Sequence, residues 1–279
     1  MKLPRLRHAE DLRSLGFLTV TLPLLTAAWS GCFRSLWMIV PLALCCFICC
    51  IIAHNHMHHP TFRGRLWNSL FQLILMFGIG QPPTGIITAH NERHHGHPDG
   101  EEDFVRTNLV GFRWNAVNLI AFPFVSIATM FREKPGDLRR WRKSRPRLFR
   151  QALLERTVFW IVVSSALIAD WRSTLLYLGV PWISAQLLLI GVNLLQHQDC
   201  DMESEYDHSR NVTGRIANWF LLNNGYHTAH HLRPSMHWSL LPAFHRSRVL
   251  PNILPSLDHK TRTGLLIERS RRPSIRHAR

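Results

Sequence analysis

Charge is scarce in this 279-residue sequence, and acid is scarcer than base. Charged residues make up 18%, against roughly 25% in a soluble domain, and 18 Asp or Glu face 33 Lys or Arg. Six stretches hold none at all: Ser14–Phe33, Ser35–Ala53, Leu66–Ala89, Trp114–Phe131, Thr157–Ala169 and Ser173–Gln196. The charges crowd into the remainder, so the mean hydropathy is a neutral −0.04 although 46% of residues are apolar. A soluble globule needs a polar face on each surface helix, and this segregation excludes a water-soluble, single-core protein. Cysteine is sparse as well. Of six, Cys45, Cys46, Cys49 and Cys50 lie inside one uncharged stretch, while Cys32 and Cys200 are isolated, which excludes a disulfide framework. The CCxxCC pattern resembles a zinc knuckle only in outline, because thiolates are costly in hydrocarbon and Cys there acts as a small apolar filler. No internal repeat and no low-complexity linker divides the chain.

The formal net charge of +15 would suggest a nucleic-acid partner by itself. Position argues otherwise. The densest basic run, Arg132–Arg156, holds ten Lys or Arg against three acids and sits directly before an apolar stretch; the chain from Arg233 onward is similarly basic. Basic clusters beside spans read as membrane-flanking charge, so the expected partner is a membrane and not nucleic acid.

A spanning helix needs about 20 apolar residues to cross roughly 30 Å of hydrocarbon. Ser14–Phe33 and Ser35–Ala53 qualify and are separated only by Arg34, with Gly31 near the reversal. Thr157–Ala169, lengthened by Leu153 and Leu154, and Ser173–Gln196 flank Asp170, Trp171 and Arg172. Each pair predicts a helical hairpin, and the first reads as a retained anchor because its apolar run exceeds a signal-peptide core. If both hairpins enter from one side, 31 of the 33 basic residues stay on that side, which the positive-inside rule makes cytoplasmic. Leu66–Ala89 carries Gly78, Gly80, Pro82, Pro83 and Gly85, poor material for a straight helix. It and Trp114–Phe131 are expected to be re-entrant or to lie along the interface. The predicted fold is an all-α integral membrane protein with two transmembrane hairpins, four spans, and a cytoplasmic, histidine-rich helical cap.

Histidine, in contrast, is abundant. Of 18, twelve gather in four places: His54, His56, His58 and His59; His90, His94, His95 and His97; His197; and His227, His230 and His231. Each group starts close to the expected cytoplasmic end of an uncharged stretch. On a helix His54 and His58 share a face, as do His90 and His94, and His227, His230 and His231 at i, i+3 and i+4 would form one three-pronged set. His8, His208, His259 and His277 are expected to be ordinary capped or surface residues. A zinc protease would need HExxH, but Asn55 follows His54 and Asn91 follows His90. So many imidazoles exceed the needs of one ion. Two ions with open positions beside hydrocarbon suggest dioxygen chemistry, most naturally on iron, yet the ExxH helices of soluble di-iron bundles are missing. Glu92, Glu101, Glu102 and Asp103, and Asp199, Asp201, Glu203, Glu205 and Asp207, lie near the clusters and are expected to orient imidazoles or face solvent rather than bind metal.

The strings HNHMHH at 54–59, HNERHH at 90–95 and NNGYHTAHHLRPSMHWSLLPAFH at 223–245, placed as they are about two hairpins, make residues 14–245 resemble the membrane-bound fatty acid desaturases and related hydroxylases. That family carries a first box HxxxH or HxxxxH, second and third boxes HxxHH or HxxxHH, and one more histidine after the fourth span. The resemblance implies two ferrous ions held by His54, His58, His90, His94, His95, His197, His227, His230 and His231, with dioxygen as co-substrate. Asn193, one turn before His197, resembles the family's asparagine that holds a metal-bound water, and polar helix packing explains it equally well. The sequence departs from the pattern in its surplus histidines: His56 and His59 compete with His54 and His58, and His97 is extra. No heme-binding or flavin-binding domain is expected within the chain, so electrons would come from a separate ferredoxin-like or cytochrome carrier.

Residues 1–250 are therefore expected to form one desaturase-like domain and residues 251–279 a basic tail. The expected activity is dioxygen-dependent introduction of a double bond into an acyl chain presented from the membrane. The same ions could instead insert oxygen, as a hydroxylase or ketolase of acyl, alkane or carotenoid substrates. A metal transporter is the remaining alternative, disfavoured because transporters place ionisable ligands inside their spans and these spans have almost none.

Overall fold

A computed structural model describes residues 3–132 and 137–261 of the chain, and these are mostly helical. His277 and the basic tail beyond residue 261 lie outside the described residues. In chain order the helices are α1 (Leu12–Ser30), α2 (Ile39–His58), α3 (Arg65–Ile79), α4 (Asn115–Arg132), α5 (Asp137–Ser144), α6 (Pro146–Thr174), α7 (Val180–His197), α8 (Arg215–Phe220), α9 (His227–Leu232) and α10 (Leu241–Phe244). Two short strands, β1 (Asn211–Val212) and β2 (Asp258–His259), pair in parallel. The described residues divide into two compact bodies, those within 1–88 and 135–186 and those within 89–134 and 187–279.

In the first body α1 ends on Gly31, whose φ of 96° is left-handed and costs a residue without Cβ little. The chain turns there and α2 packs back along α1. Along α2 the residues Leu42, Cys46, Cys49, Cys50, Ile51 and Ala53 are buried and all six cysteines are free thiols, so the cysteines fill space as small apolar groups. The second reversal is at Asp170, which departs from helical geometry at φ −154°, ψ 91° inside α6. Its carboxylate accepts the Ser173 N–H at 3.0 Å and the Ser173 hydroxyl at 2.7 Å, starting a fresh helix as an N-cap does. Phe159 and Trp182, on either side of that break, meet at 6.0 Å between ring centroids. Arg34 reaches Asp170 at 3.3 Å and the Trp29 indole donates to the Thr174 hydroxyl at 2.8 Å, so the two reversals lie side by side at one end of this body.

Four helical stretches are long and apolar enough to cross a membrane: Ala9–Ser30, Leu36–His58, Asn115–Arg132 and Pro146–His197. The last is 52 residues, about 78 Å at 1.5 Å per residue, far more than one crossing, and it is the stretch that folds back at Asp170. Asn115–Arg132, expected to lie along the interface, has the length and hydropathy of a span. The apolar helix α3, at 15 residues, is too short to span. It stops at Gly80, where φ is 72° and a Cβ would collide with the Trp182 ring, whose N–H donates to the Phe77 carbonyl at 2.9 Å.

In the second body Phe122 of α4 packs with Val110 and Leu194 of α7 in a small apolar core. The Gln198 amide donates to the Asn115 side chain at 2.6 Å, tying the end of α7 to the start of α4. These contacts fix the last turn of α7, from which His197 projects, against the loop that follows the second histidine box.

Candidate metal centre

The second box departs from α-helical spacing. Residues Ile87–His94 form a π-helix, and the His95 N–H continues it by donating to the His90 carbonyl at 2.9 Å, five residues back. Such a turn is wider than an α-turn and is frequent at functional sites. Its consequence is a change of partners. His90 brings its Nε2 to within 3.0 Å of His95 Nε2, while against His94, the partner that α-helical spacing predicts, it only stacks ring on ring at 5.1 Å. A related correction applies to the third box on α9. His227, His230 and His231 do not converge on one point: His227 and His231 are four apart and point together, whereas His230 points the other way, to His95 at 3.0 Å.

The result within the second body is two groups of imidazoles. The first is His94, His197, His227 and His231, whose ring nitrogens can hold a metal ion together. His227 Nε2 lies 2.8 Å from His197 Nε2 and 3.1 Å from His231 Nε2. Ring nitrogens on a metal bound at about 2.1 Å stand roughly 3.0–3.4 Å apart, close to these separations. The tautomers also agree. His94 Nδ1 is 2.8 Å from the Asp103 carboxylate and His197 Nδ1 is 3.0 Å from the His208 carbonyl. Both partners only accept, so each Nδ1 carries the proton and each Nε2 presents a lone pair. His94 Nε2 is buried with no hydrogen-bond partner, an arrangement that costs free energy unless a cation completes it. Burial, followed by the neighbouring imidazoles His227, His197, His95 and His94, holds the His231 ring well below the usual imidazole range. A neutral ring is what metal binding requires.

The second group is His90, His95 and His230. His95 Nε2 faces both other Nε2 atoms at 3.0 Å, and one ring proton cannot serve two neighbours that each compete for it. In the first body His54 and His58 sit one turn apart on α2 with ring centroids at 4.9 Å. His56 is engaged elsewhere: its Nδ1 is 3.0 Å from the Thr61 hydroxyl and its Nε2 is 3.2 Å from the Gln72 amide, joining the end of α2 to α3. His59 meets His8 edge to face, ring centroids 5.1 Å apart, and His97 is exposed.

Asp103 is one of the acids expected to orient imidazoles and does so, whereas His208 was expected on the surface. Asp103 is fully buried and holds His94 while accepting N–H groups from Val105 at 2.9 Å and Asp99 at 3.1 Å. Burial alone would raise its pKa, but His94 and these backbone donors outweigh it and keep the carboxyl below its usual range. His208, expected on the surface, is buried, with its ring 5.5 Å from His231 and its carbonyl orienting His197. Nothing local to residues 199–208 signals this, because the loop folds back only in the tertiary structure. Asn193 lies one turn before His197, its amide donating to the Val105 carbonyl at 3.3 Å.

Imidazole-only donor sets of this kind suit iron, copper or zinc. A protein-family model described as fatty acid desaturase matches residues 28–261. No curated protein matches the chain.

Proposed function

The chain belongs to the fatty acid desaturase family, and from that premise we propose that it is a multi-pass membrane oxidoreductase that introduces a C=C bond into an acyl chain at a histidine-ligated di-iron centre. The observation that carries this reading is the convergence of His94, His197, His227 and His231 about the orphaned, buried Nε2 of His94. In this proposal His94, His197, His227 and His231 hold one iron and His90, His95 and His230 contribute to the other, and the resemblance to the family adds His54 and His58 to the ligand set. When bound, the irons supply the oxidising chemistry by which dioxygen takes two hydrogens from a methylene pair and, with two electrons and two protons from outside, leaves as water.

The residues of the chain have four tasks in that reaction. Asp103 and the His208 carbonyl fix the tautomers of His94 and His197, so that ring nitrogens rather than N–H groups face the metal. Buried neutral imidazoles exclude bulk water from the site. Asn193 is assigned the orientation of a water at the site. The uncharged helices hold the acyl chain in register, which selects the carbon pair presented. The two adjacent reversals at Arg34 and Asp170 support hairpins that enter from one side, which leaves the His54–His58 end of α2 facing the cytoplasm under the positive-inside rule. A separate acidic carrier of the ferredoxin or cytochrome type supplies the electrons.

The test is lipid profiling by mass spectrometry of cells with and without the gene, combined with iron analysis of purified protein. Loss of two mass units from an acyl chain, dependent on His94 and His230, is the expected result. A gain of one oxygen would replace desaturation by hydroxylation. Protein purified with no iron and able to turn over without it would sink the metal reading altogether.

A further inference from the structure

Helix α8 presents three large apolar side chains outward at i, i+3 and i+4: Ile216 is 80% exposed, Trp219 49% and Phe220 47%, beside an exposed Arg215. Its inner face is pinned. The buried Asn218 amide donates to the Val212 carbonyl at 2.6 Å and the Gly214 carbonyl at 3.0 Å, and its oxygen accepts the Gly225 N–H at 3.0 Å. The helix therefore cannot roll to hide its apolar face without breaking a buried polar network, which is costly. The position of α8 is equally fixed. The Arg210 N–H donates to the Gln196 carbonyl at 2.7 Å and the Gln196 side chain donates to the Asn224 carbonyl at 3.4 Å. Both segments that flank α8 are thus tied to the last turn of a helix apolar enough to span.

From these observations we infer that α8 is an interfacial anchor, with Ile216, Trp219 and Phe220 seated at the headgroup and acyl boundary of the phospholipid bilayer and Arg215 on a lipid phosphate. Amphipathic Trp and a cation beside apolar side chains are the composition that partitions to that depth. Water would leave the apolar face solvated at a cost that grows with its area, whereas a bilayer surface at the end of α7 covers it without any partner protein. The turn after α8 leads directly into α9. Its backbone is closed by Asn223 donating to the Asn218 carbonyl at 2.9 Å, so the anchor also sets the depth of His227, His230 and His231. The inference concerns lipid contact alone and stands whichever reaction the metal centre performs.

The full chain, reconstituted in nanodiscs of phosphatidylcholine and phosphatidylglycerol, is photolabelled with a phospholipid bearing a diazirine on an acyl carbon close to the glycerol, and adducts are mapped by mass spectrometry. Adducts on Ile216, Trp219 or Phe220 are expected alongside those on α1 and α2, and the combined variant Ile216→Ser, Trp219→Ser, Phe220→Ser should lose the first set and keep the second. A second reading is Trp fluorescence with bromine-labelled acyl chains, taken as the difference between the native chain and Trp219→Phe, which should show a quenched component. Labelled spans with a bare α8 and no quenched difference would place α8 in water and overturn the inference. Cross-links from α8 to a second copy of the chain in place of lipid adducts would overturn it too.

Discussion

Replacement of Asp103 by Asn isolates the part that a buried carboxylate plays in the proposed metal centre. The Oδ2 of Asp103 accepts from His94 Nδ1 at 2.8 Å and from the Asp99 N–H at 3.1 Å, while Oδ1 accepts from the Val105 N–H at 2.9 Å. An Asn side chain is nearly isosteric but has one oxygen. Placed at the Oδ2 position that oxygen keeps His94 and Asp99, and the new NH2 then meets the Val105 N–H donor to donor. The negative charge is lost in either orientation. A hydrogen bond to a charged group contributes about 1.5–3 kcal/mol, and loss of an outer partner of a metal-bound histidine lowers metal affinity about 10–100-fold, or about 1.4–2.8 kcal/mol. The two routes agree. Asp103→Asn should therefore insert in the membrane normally, keep the metal on the His90, His95 and His230 side, and bind the second equivalent about 10–100-fold more weakly. Iron titration of purified apoprotein, followed by Mössbauer spectroscopy, measures both equivalents. Two equivalents bound with native affinity would refute the claim that Asp103 orients His94 for a metal.

The split of the third box separates two variants that sequence spacing would treat alike: His231→Ala should weaken the equivalent shared with His94, and His230→Ala the other, with both abolishing turnover as His94→Ala does and neither blocking insertion, as metal analysis and membrane fractionation would show. His56→Ala should lower stability by about 1–3 kcal/mol through the stranded Thr61 and Gln72 partners, measured by thermal unfolding in detergent, while binding both metals, whereas a His56→Ala protein as metal-free as His58→Ala would mean the opposite face of α2 is used. Gly80→Ala, at φ 72° and against the Trp182 ring, should cost at least about 1–2 kcal/mol for the backbone alone, read from the same melts. Arg140 and Lys143 are exposed on α5 around the buried Trp141, and if they steer an acidic electron donor, turnover should fall as salt shortens the Debye length to about 8 Å. Charge reversal at both should flatten that dependence, and a rate indifferent to salt and to reversal would leave these residues to topology and lipid headgroups.

How far the site was legible in the sequence varies with the residue. The four histidine groups stand out because ligand-rich strings at the ends of uncharged stretches have no cheaper explanation, and the family match over residues 28–261 agrees with them. Asp103, nine residues beyond His94 in a loop rich in acids, looked like any of its neighbours; only burial against His94 distinguishes it from Glu101 and Glu102. His208 looked like a surface residue because its loop is acidic, yet the loop folds under and presents a carbonyl to His197.

Composition alone determined that the chain lives in a membrane, since the transfer of a side chain into hydrocarbon depends on what the side chain is and hardly on its neighbours. It also determined where the chain turns, because Gly31 and Asp170 act through local backbone preferences. Length and hydropathy give Asn115–Arg132, expected to lie along the interface, the character of a span. Which histidine faces which was a matter for the tertiary structure. Spacing read on an α-helix pairs His90 with His94, but the π-turn pairs His90 with His95, and α9 divides its three histidines between two groups. A helix period is set by hydrogen bonds that the surrounding packing selects, and no residue type in HNERHH announces a step of five in place of four.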